Sequence, residues 1–177
     1  MNLILCFEKS ADNGRRGLMI KRITLVIIVF FTVFSVEASM VSFFVIETGL
    51  PQDGDKNQHS LYWENVLLDV FFDAGHIVCN APILRLESRP SGDILRASAF
   101  DMEDARNGGI DFVILAQLDF LSGSLAPPGE ISFFIYRITG REKIFEKRIT
   151  GKTYRSTGDE IDDLKIIVRE LVPYLSN

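Results

Sequence analysis

The sequence predicts an α/β (α+β) fold, a single domain with one mixed sheet in the order β-α-β-α-β-β-β-α, placed after a secretory signal peptide. Three observations support it. Short β-branched and aromatic runs are typical of strands, other segments repeat apolar residues at helical spacing, and two of the runs flank a glycine-containing turn. No linker interrupts residues 39–177, so we expect them to form one domain.

The amino-terminal segment has the three parts of a secretory signal in their usual order. Lys21 and Arg22 supply positive charge, residues 23–34 form an apolar run, and residues 36–38 end in a small side chain. The run has about 12 residues where a membrane span needs about 20, which predicts cleavage after Ala38 and no stable membrane span. Residues 1–18 fit a signal poorly, so we expect translation to start at Met19. Ser39 stands where a lipoprotein needs cysteine, which disfavours a lipid anchor.

Composition excludes several kinds of partner. The whole chain has a formal charge of −5. Residues 1–38 hold five basic and three acidic side chains of the 19 and 24 in the chain, so the exported part carries −7. This balance argues against binding nucleic acid or anionic lipid. Cys79 would be the one cysteine left after cleavage, which rules out an internal disulfide, and its apolar neighbours predict a buried core residue.

The first half of the domain predicts a β-α-β unit. Residues 41–47 form a strand that stops at Gly49, and residues 76–81 form another. Between them, residues 60–74 have a wide apolar face, with Ser60 and Gly75 as caps. The helix is therefore expected to be deeply buried, through Trp63, Val66, Leu67, Leu68, Val70, Phe71 and Phe72. A β-α-β order implies parallel strands with a right-handed crossover.

The second half predicts a helix, three strands and a closing helix. Residues 91–107 have the pattern of one amphipathic helix, and residues 111–120 that of a central strand. Residues 121–130 form a loop, and residues 131–138 and 143–153 form a hairpin about the turn 139–142. Thr157 and Glu160 form a capping box for the last helix, which Pro173 should end or kink. Its apolar stripe comprises Ile161, Leu164, Ile167, Val168, Leu171, Val172 and Leu175.

The hairpin carries a family resemblance. Its first strand follows an apolar strand that begins at Asp111, and its turn reads Thr139-Gly140-Arg141, with Phe145 a few positions on. This arrangement resembles the amino-terminal domain of TolB, the curli secretion component and the periplasmic activators of penicillin-binding proteins. The resemblance implies a non-enzymatic envelope protein that binds other envelope proteins. The turn itself carries no chemistry, because its glycine is expected to serve a position with positive φ.

Catalytic and ligand motifs are weak throughout the sequence. After signal cleavage the histidines are His59 and His76, and no serine lies in a G-x-S-x-G elbow. Metal ligation would need these histidines with Asp53, Asp55, Asp69 or Asp73. A calcium loop that starts at Asp53 would need glycine at its sixth position, which here is Gln58. Gly108 and Gly109 precede a strand, which disfavours phosphate binding. We therefore predict no catalytic residue, no cofactor and no metal ligand.

The strand 131–138 is apolar on both faces. Ile131, Phe133 and Ile135 point one way, and Phe134, Tyr136 and Ile138 point the other way. Either helices cover both faces or one face receives a partner. Phe134, Tyr136 and Ile138 are the candidate partner-binding residues.

These observations favour an exported, non-enzymatic protein-binding or assembly module of the periplasm, or a secreted one. The alternatives are a small periplasmic hydrolase and a carrier of apolar small molecules. A histidine held against a carboxylate in a cleft would favour the hydrolase, a closed apolar cavity the carrier, and an apolar patch the binding module. The identity of the envelope partner and the oligomeric state stay open.

Overall fold

The described part of the chain has six strands: β1 Met40–Thr48, β2 Ile77–Asn80, β3 Leu84–Leu86, β4 Phe112–Asp119, β5 Glu130–Arg137 and β6 Glu142–Thr150. They form one mixed β-sheet, as predicted, with strand order β2-β1-β4-β5-β6 and with β3 also paired to β1. The helices are α1 Gln58–Asp73, α2 Ile94–Ala97, α3 Met102–Asn107 and α4 Thr157–Arg169, followed by a 3₁₀ turn at Val172–Leu175. The fold class expected from the sequence is confirmed.

The computed structural model describes residues 38–90, 92–98, 100–120 and 126–175. The segment 1–37, with the predicted signal peptide and the Met19 start, lies outside these residues, as does half of the predicted loop 121–130. In the described ranges, no helix combines the length and apolar character needed to cross a membrane.

Strand pairing follows the two halves of the sequence. β1 runs parallel to β2, β3 and β4, as the β-α-β order predicts. β4, β5 and β6 are antiparallel neighbours, and the predicted hairpin is confirmed by the pairing of β5 with β6 from Arg137 and Glu142 outward. The register of that pair shifts between Ile135 and Tyr136.

Helices α1 and α4 cover the first face of the sheet. Trp63 is fully buried there, with its ring centroid 5.3 Å from that of Phe133. α1 starts two residues before the predicted position, because the side chain of Asn57 accepts the N–H of His59 and caps the helix. Its last residue is Asp73, and Gly75 stops the helix as predicted. The φ of Gly75, 89°, lets the N–H of His76 reach the carbonyl of Phe71.

The apolar face of α1 is narrower than predicted. Val66 is buried, but Leu68 and Phe72 are exposed, Phe72 at 71%. At 100° per residue, both side chains project away from the arc that holds Trp63 and Val70. The expectation of burial is wrong for these two residues, because the helix has more apolar residues than the face that packs on the sheet can hold.

The second face is covered by two short helices instead of the single helix predicted over residues 91–107. The side chain of Asp93 caps α2 by accepting the N–H of Leu95. Asp101 caps α3 by accepting the N–H groups of Glu103 and Asp104. An aspartate at an N-cap adopts an extended backbone, so Asp101 interrupts a pattern that is otherwise helical in its spacing.

Several smaller expectations are corrected. Cys79 is exposed and not buried, because β2 lies at the edge of the sheet. The hairpin turn takes its positive φ at Arg141 (51°) and not at Gly140. Ser156 caps α4 by accepting the N–H of Asp159, so the cap lies one residue before the predicted Thr157 of the capping box with Glu160. α4 ends at Arg169, and Pro173 lies in the 3₁₀ turn that follows it.

A buried ion pair fixes the loop between β1 and α1. Glu47 of β1 is only 1% exposed, and its carboxylate accepts the Nε–H of Arg85 (2.7 Å) and the N–H of Asn57 (2.9 Å). Arg85 also donates to the carbonyls of Pro51 and Asp55, both at 2.9 Å. One guanidinium on β3 therefore holds both the end of β1 and the loop that leads into α1.

Candidate functional site

A groove of about 500 Å³ lies on the second face of the sheet, between the amino terminus of α2 and the hairpin. Phe134 and Tyr136 of β5 belong to its lining, beside Gln117 of β4. The rest of the lining is Arg89, Pro90, Gly92, Asp93, Ile94, Arg141, Lys143, Glu146 and Arg148. We call this the second-face groove.

The groove exists because the second layer stops short of β6. α2 and α3 build an apolar cluster with β1, β4 and β5, which includes Leu95, Val113 and Phe134. Among the described residues, that cluster has no member from β6. The side chains of β6 on this face, Lys143, Glu146 and Arg148, are exposed and form one wall of the groove.

Tyr136 fixes the α2 side of the groove. Its hydroxyl donates to Oδ1 of Asp93 at 3.1 Å, the same oxygen that caps α2. Burial, followed by the nearby Asp93 carboxylate, raises the pKa of Tyr136 well above its usual value, so the phenol stays protonated and acts as a donor. The hydrogen bond ties β5 to α2 across the groove.

Positive charge predominates in the lining. Arg89 and Arg148 share one carboxylate, that of Glu130, which Arg148 approaches at 3.3 Å and Arg89 contacts directly. Lys143 pairs with Glu146, and that hydrogen bond holds the pKa of Glu146 below its usual value, so the pair is internally neutral. The two guanidiniums that share one carboxylate therefore leave one positive charge uncompensated.

Arg141 is a further cation of the lining, and with Asp93 counted the formal charges of the lining and of Glu130 sum to +1, four cations against three carboxylates. It is exposed, and no carboxylate of the described residues forms an ion pair with it. It also lines a second cavity of about 590 Å³ on the same face, whose lining shares Asp93 and Tyr136 with the groove and adds Leu95, Arg96, Phe100, Asp101 and Met102. Arg141 therefore stands where a polar cavity meets a more apolar one.

Gln117 provides an unpartnered donor. Its side chain is 3% exposed and lines the groove, and no acceptor in the described part of the chain lies within hydrogen-bonding distance of its Nε2. Its cross-strand neighbour, Ser132, already accepts from Arg89 at 3.1 Å. Leaving a buried amide donor unpaired costs about 1–3 kcal/mol.

The backbone of Arg141 is also strained. At φ 51° it occupies the left-handed region, which a residue with a Cβ adopts at a cost of about 1–2 kcal/mol. We expect Arg141→Gly to raise the free energy of unfolding by about 1 kcal/mol, because glycine adopts this conformation freely. Urea denaturation measures the change. Arg155→Gly, at an exposed position without positive φ, is the control and should not stabilise; an Arg141→Gly variant less stable than the wild type would contradict this account.

The two histidines lie at opposite ends of α1. Nδ1 of His59 lies 2.7 Å from Oε1 of the buried Glu160, which joins α1 to α4. The adjacent Ser60 is fully buried, and its hydroxyl contacts neither member of the pair. Burial lowers the pKa of His76, which follows the helix-ending Gly75. No group of three potential metal ligands occurs within residues 38–175 as far as they are described.

The three candidate partner-binding residues lie on the second face and are largely covered. Phe134, Tyr136 and Ile138 are 8%, 7% and 1% exposed. Phe134 and Tyr136 contribute to the lining of the groove, whereas Ile138 belongs to the apolar cluster beneath α2 and α3. The alternation of β5 therefore placed the three side chains on one face, as predicted, and their role in binding stays a prediction.

Sequence comparison gives no assignment: no family model matches the chain, and neither does any curated protein. Solved structures do give matches. The fold resembles PelC, TolB and LpoB. The PelC dodecamer from Paraburkholderia phytofirmans is 12% identical, with 79% of this chain and 90% of that chain covered and a TM-score of 0.48. TolB from Acinetobacter baumannii is 13% identical, with 78% and 28% covered and a TM-score of 0.42.

The LpoB C-terminal domain from Escherichia coli is 15% identical, with 68% of this chain and 87% of that chain covered and a TM-score of 0.38. TolB and LpoB are of the kinds that the hairpin resembles. This chain spans under a third of the TolB chain, so the likeness concerns one part of that protein. At these identities and TM-scores, the matches assign no function.

The sequence did not indicate the residues that distinguish the groove. Gln117 reads as one polar residue in an apolar strand, and Arg89 and Arg148 read as ordinary surface charges. The signal that could have identified Gln117 is its position in the middle of a central strand, where an amide needs a partner. The arginines meet only through the tertiary fold.

Proposed function

We propose that this chain is an exported, non-enzymatic protein of the cell envelope that binds a protein partner in the second-face groove. The observation that carries the proposal is the incomplete second layer, which leaves a groove with Phe134 and Tyr136 in its lining and charged walls. Grooves with an apolar floor and a polar rim are suited to recognising a segment of another chain. The basic n-region, apolar run and small-residue site of residues 21–38 support export.

Neither alternative function has comparable support. The hydrolase needs a nucleophile hydrogen-bonded to His59, and the buried hydroxyl of its neighbour Ser60 forms no hydrogen bond with His59 or Glu160. The carrier needs a closed apolar chamber, whereas the second-face groove and the second cavity beside it contain charged side chains. A third cavity, of about 340 Å³, lies between the end of α1 and the 3₁₀ turn that follows α4, and its lining also includes the charged Asp73 and Arg169.

Gly92 offers a direct test because a Cβ at this position would meet no atom within 4 Å, so a larger side chain fits at the rim of the groove. A photo-crosslinking amino acid at position 92, in the cells that export the protein, should form a discrete adduct with one envelope protein, identified by mass spectrometry. The same amino acid at Thr153, an exposed residue outside the groove lining, is the control. Equal adducts at both positions, or none at position 92, would contradict the proposal.

A further inference from the structure

We infer that the second-face groove binds an extended peptide that carries a carboxylate side chain and, a few residues away, an apolar side chain. This inference rests on the proposed function and names the chemistry of the partner. It follows from three features of the groove: an orphaned buried donor, a net positive charge and a neighbouring cavity whose lining includes apolar side chains.

The orphaned donor is the Nε2–H of Gln117. The side chain is 97% buried, and its amide lines the groove without an acceptor among the described residues. A main-chain carbonyl of a bound peptide would satisfy it. Buried polar groups are almost always paired in folded proteins, so an unpaired one in a binding groove indicates a ligand atom.

The charge of the lining selects an acidic ligand. Arg89 and Arg148 share the single carboxylate of Glu130, and Arg141 has no ion pair among the described residues. The remaining carboxylates of the lining are Glu146, which pairs with Lys143, and Asp93, which accepts from Tyr136 and the N–H of Leu95, so the lining together with Glu130 has a formal charge of +1. A guanidinium binds a carboxylate through two parallel hydrogen bonds, which favours a carboxylate ligand over a neutral one. On a chain of net charge −5, this cationic groove is a local feature.

The neighbouring cavity selects a peptide over an acidic glycan. Leu95, Phe100 and Met102 line this cavity beside the charged Arg96 and Asp101, and the cavity meets the groove at Asp93, Tyr136 and Arg141. A peptide can place an apolar side chain there while its carboxylate contacts the arginines. An acidic sugar chain has no such side chain, and Phe134 and Tyr136 expose too little of their rings for sugars to stack on.

The strained backbone of Arg141 is consistent with a binding role. A residue that holds a left-handed φ without being glycine is a feature that concentrates at ligand sites. Of the described cations, Arg141 is the one that lines both cavities, so its guanidinium stands where a ligand would cross between them.

The test is a peptide array measured on the full-length protein by fluorescence anisotropy. The probes are synthetic eight-residue peptides of alanine and serine that carry one leucine and one glutamate, two to five positions apart and in both orders, each matched by a glutamine version. We expect at least one spacing to bind about tenfold more tightly than its glutamine match, as loss of a charged hydrogen bond predicts. The difference should shrink as salt is raised.

Variants of the groove should weaken that binding without unfolding the protein. Arg141→Gln is expected to reduce affinity for the glutamate peptide about tenfold. Gln117→Leu is expected to reduce it about threefold and to raise the denaturation midpoint, because it removes an unpaired buried amide of similar size. Arg155→Gln, which removes an exposed cation outside the groove lining, is the matched control and should leave affinity unchanged.

The inference is overturned if no glutamate peptide is preferred over its glutamine match, if Arg155→Gln weakens binding as much as Arg141→Gln, or if an oligogalacturonate binds in place of every peptide. Its failure is separable from that of the proposed function. If the adduct at position 92 forms equally in wild type and in Arg141→Gln, a partner occupies the groove through other chemistry. If the adduct is absent, the groove is not a partner site.

Discussion

Glu47→Ala is expected to lower the free energy of unfolding by about 3–5 kcal/mol, the typical result of breaking a buried ion pair from one side. Glu47 is 1% exposed and accepts hydrogen bonds from both Arg85 and the N–H of Asn57. Removing it leaves a largely buried guanidinium without its counter-charge and the start of α1 without a contact to β1. Chemical denaturation followed by circular dichroism measures the loss.

Glu142→Ala is the matched control for that variant. Glu142 pairs with Arg137 at 2.9 Å, but both side chains are exposed, so its loss should cost no more than about 1 kcal/mol. Should Glu47→Ala fail to fold, Glu47→Gln keeps the volume and one acceptor and is expected to fall between the two. Equal losses for Glu47→Ala and Glu142→Ala would show that the buried pair does not organise the loop.

Gly49→Ala is expected to destabilise the protein by about 3 kcal/mol or more. Gly49 has a φ of 80°, and a Cβ there would lie 2.1 Å from the carbonyl oxygen of Phe120, so both the backbone conformation and the close approach of the chain after β4 require glycine. Backbone strain and overpacking each cost about 1–3 kcal/mol, and here they act together. Thermal and urea denaturation provide the measurement.

Gly109→Ala separates the two contributions. Gly109 has nearly the same φ, 79°, but a Cβ there would meet no atom within 4 Å. Its substitution should therefore cost only the backbone term, about 1 kcal/mol. If Gly49→Ala and Gly109→Ala lose the same free energy, the contact between Gly49 and Phe120 is not tight in solution.

The parts of the fold that follow from local pattern were predictable. Alternation assigned Phe133 and Phe134 to opposite faces of β5, and both faces are indeed covered, the first by α1 and α4 and most of the second by α2 and α3. The β-α-β order gave parallel pairing of β1 and β2, and the hairpin gave antiparallel pairing of β5 and β6. Such features depend on residues close in sequence.

The predictions are wrong where two local signals compete, or where the burial of a residue depends on parts of the chain that are far away in sequence. Asp101 can sit within a helical pattern or start a new helix, and only the backbone shows that it caps α3. Cys79 has apolar neighbours, but β2 lies at a sheet edge, which its own sequence does not specify. In the hairpin turn, Arg141 takes the positive φ although Gly140 stands beside it.

The groove could not be predicted, because its walls come from separate segments. Arg89 precedes α2, Gln117 lies in β4, Arg141 precedes β6 and Arg148 lies within it, so no spacing in the sequence connects all four. Alternation alone placed Phe134, Tyr136 and Ile138 on one face of the sheet, and their role in binding a partner stays a prediction. It could not reveal that α2 and α3 bury Ile138, or that most of the groove lining comes from polar and charged side chains of other segments.

Occupancy of the groove by a partner is tested most directly by blocking the groove and measuring crosslinking within it. A photo-crosslinking amino acid replaces Arg96, which lines the second cavity, and Gly92→Trp then fills the rim of the groove where a side chain has room. Thr153→Trp adds the same bulk outside the groove lining. We predict that the adduct in exporting cells persists with Thr153→Trp and is lost with Gly92→Trp; equal adduct yields in the two variants would contradict a partner site in the groove.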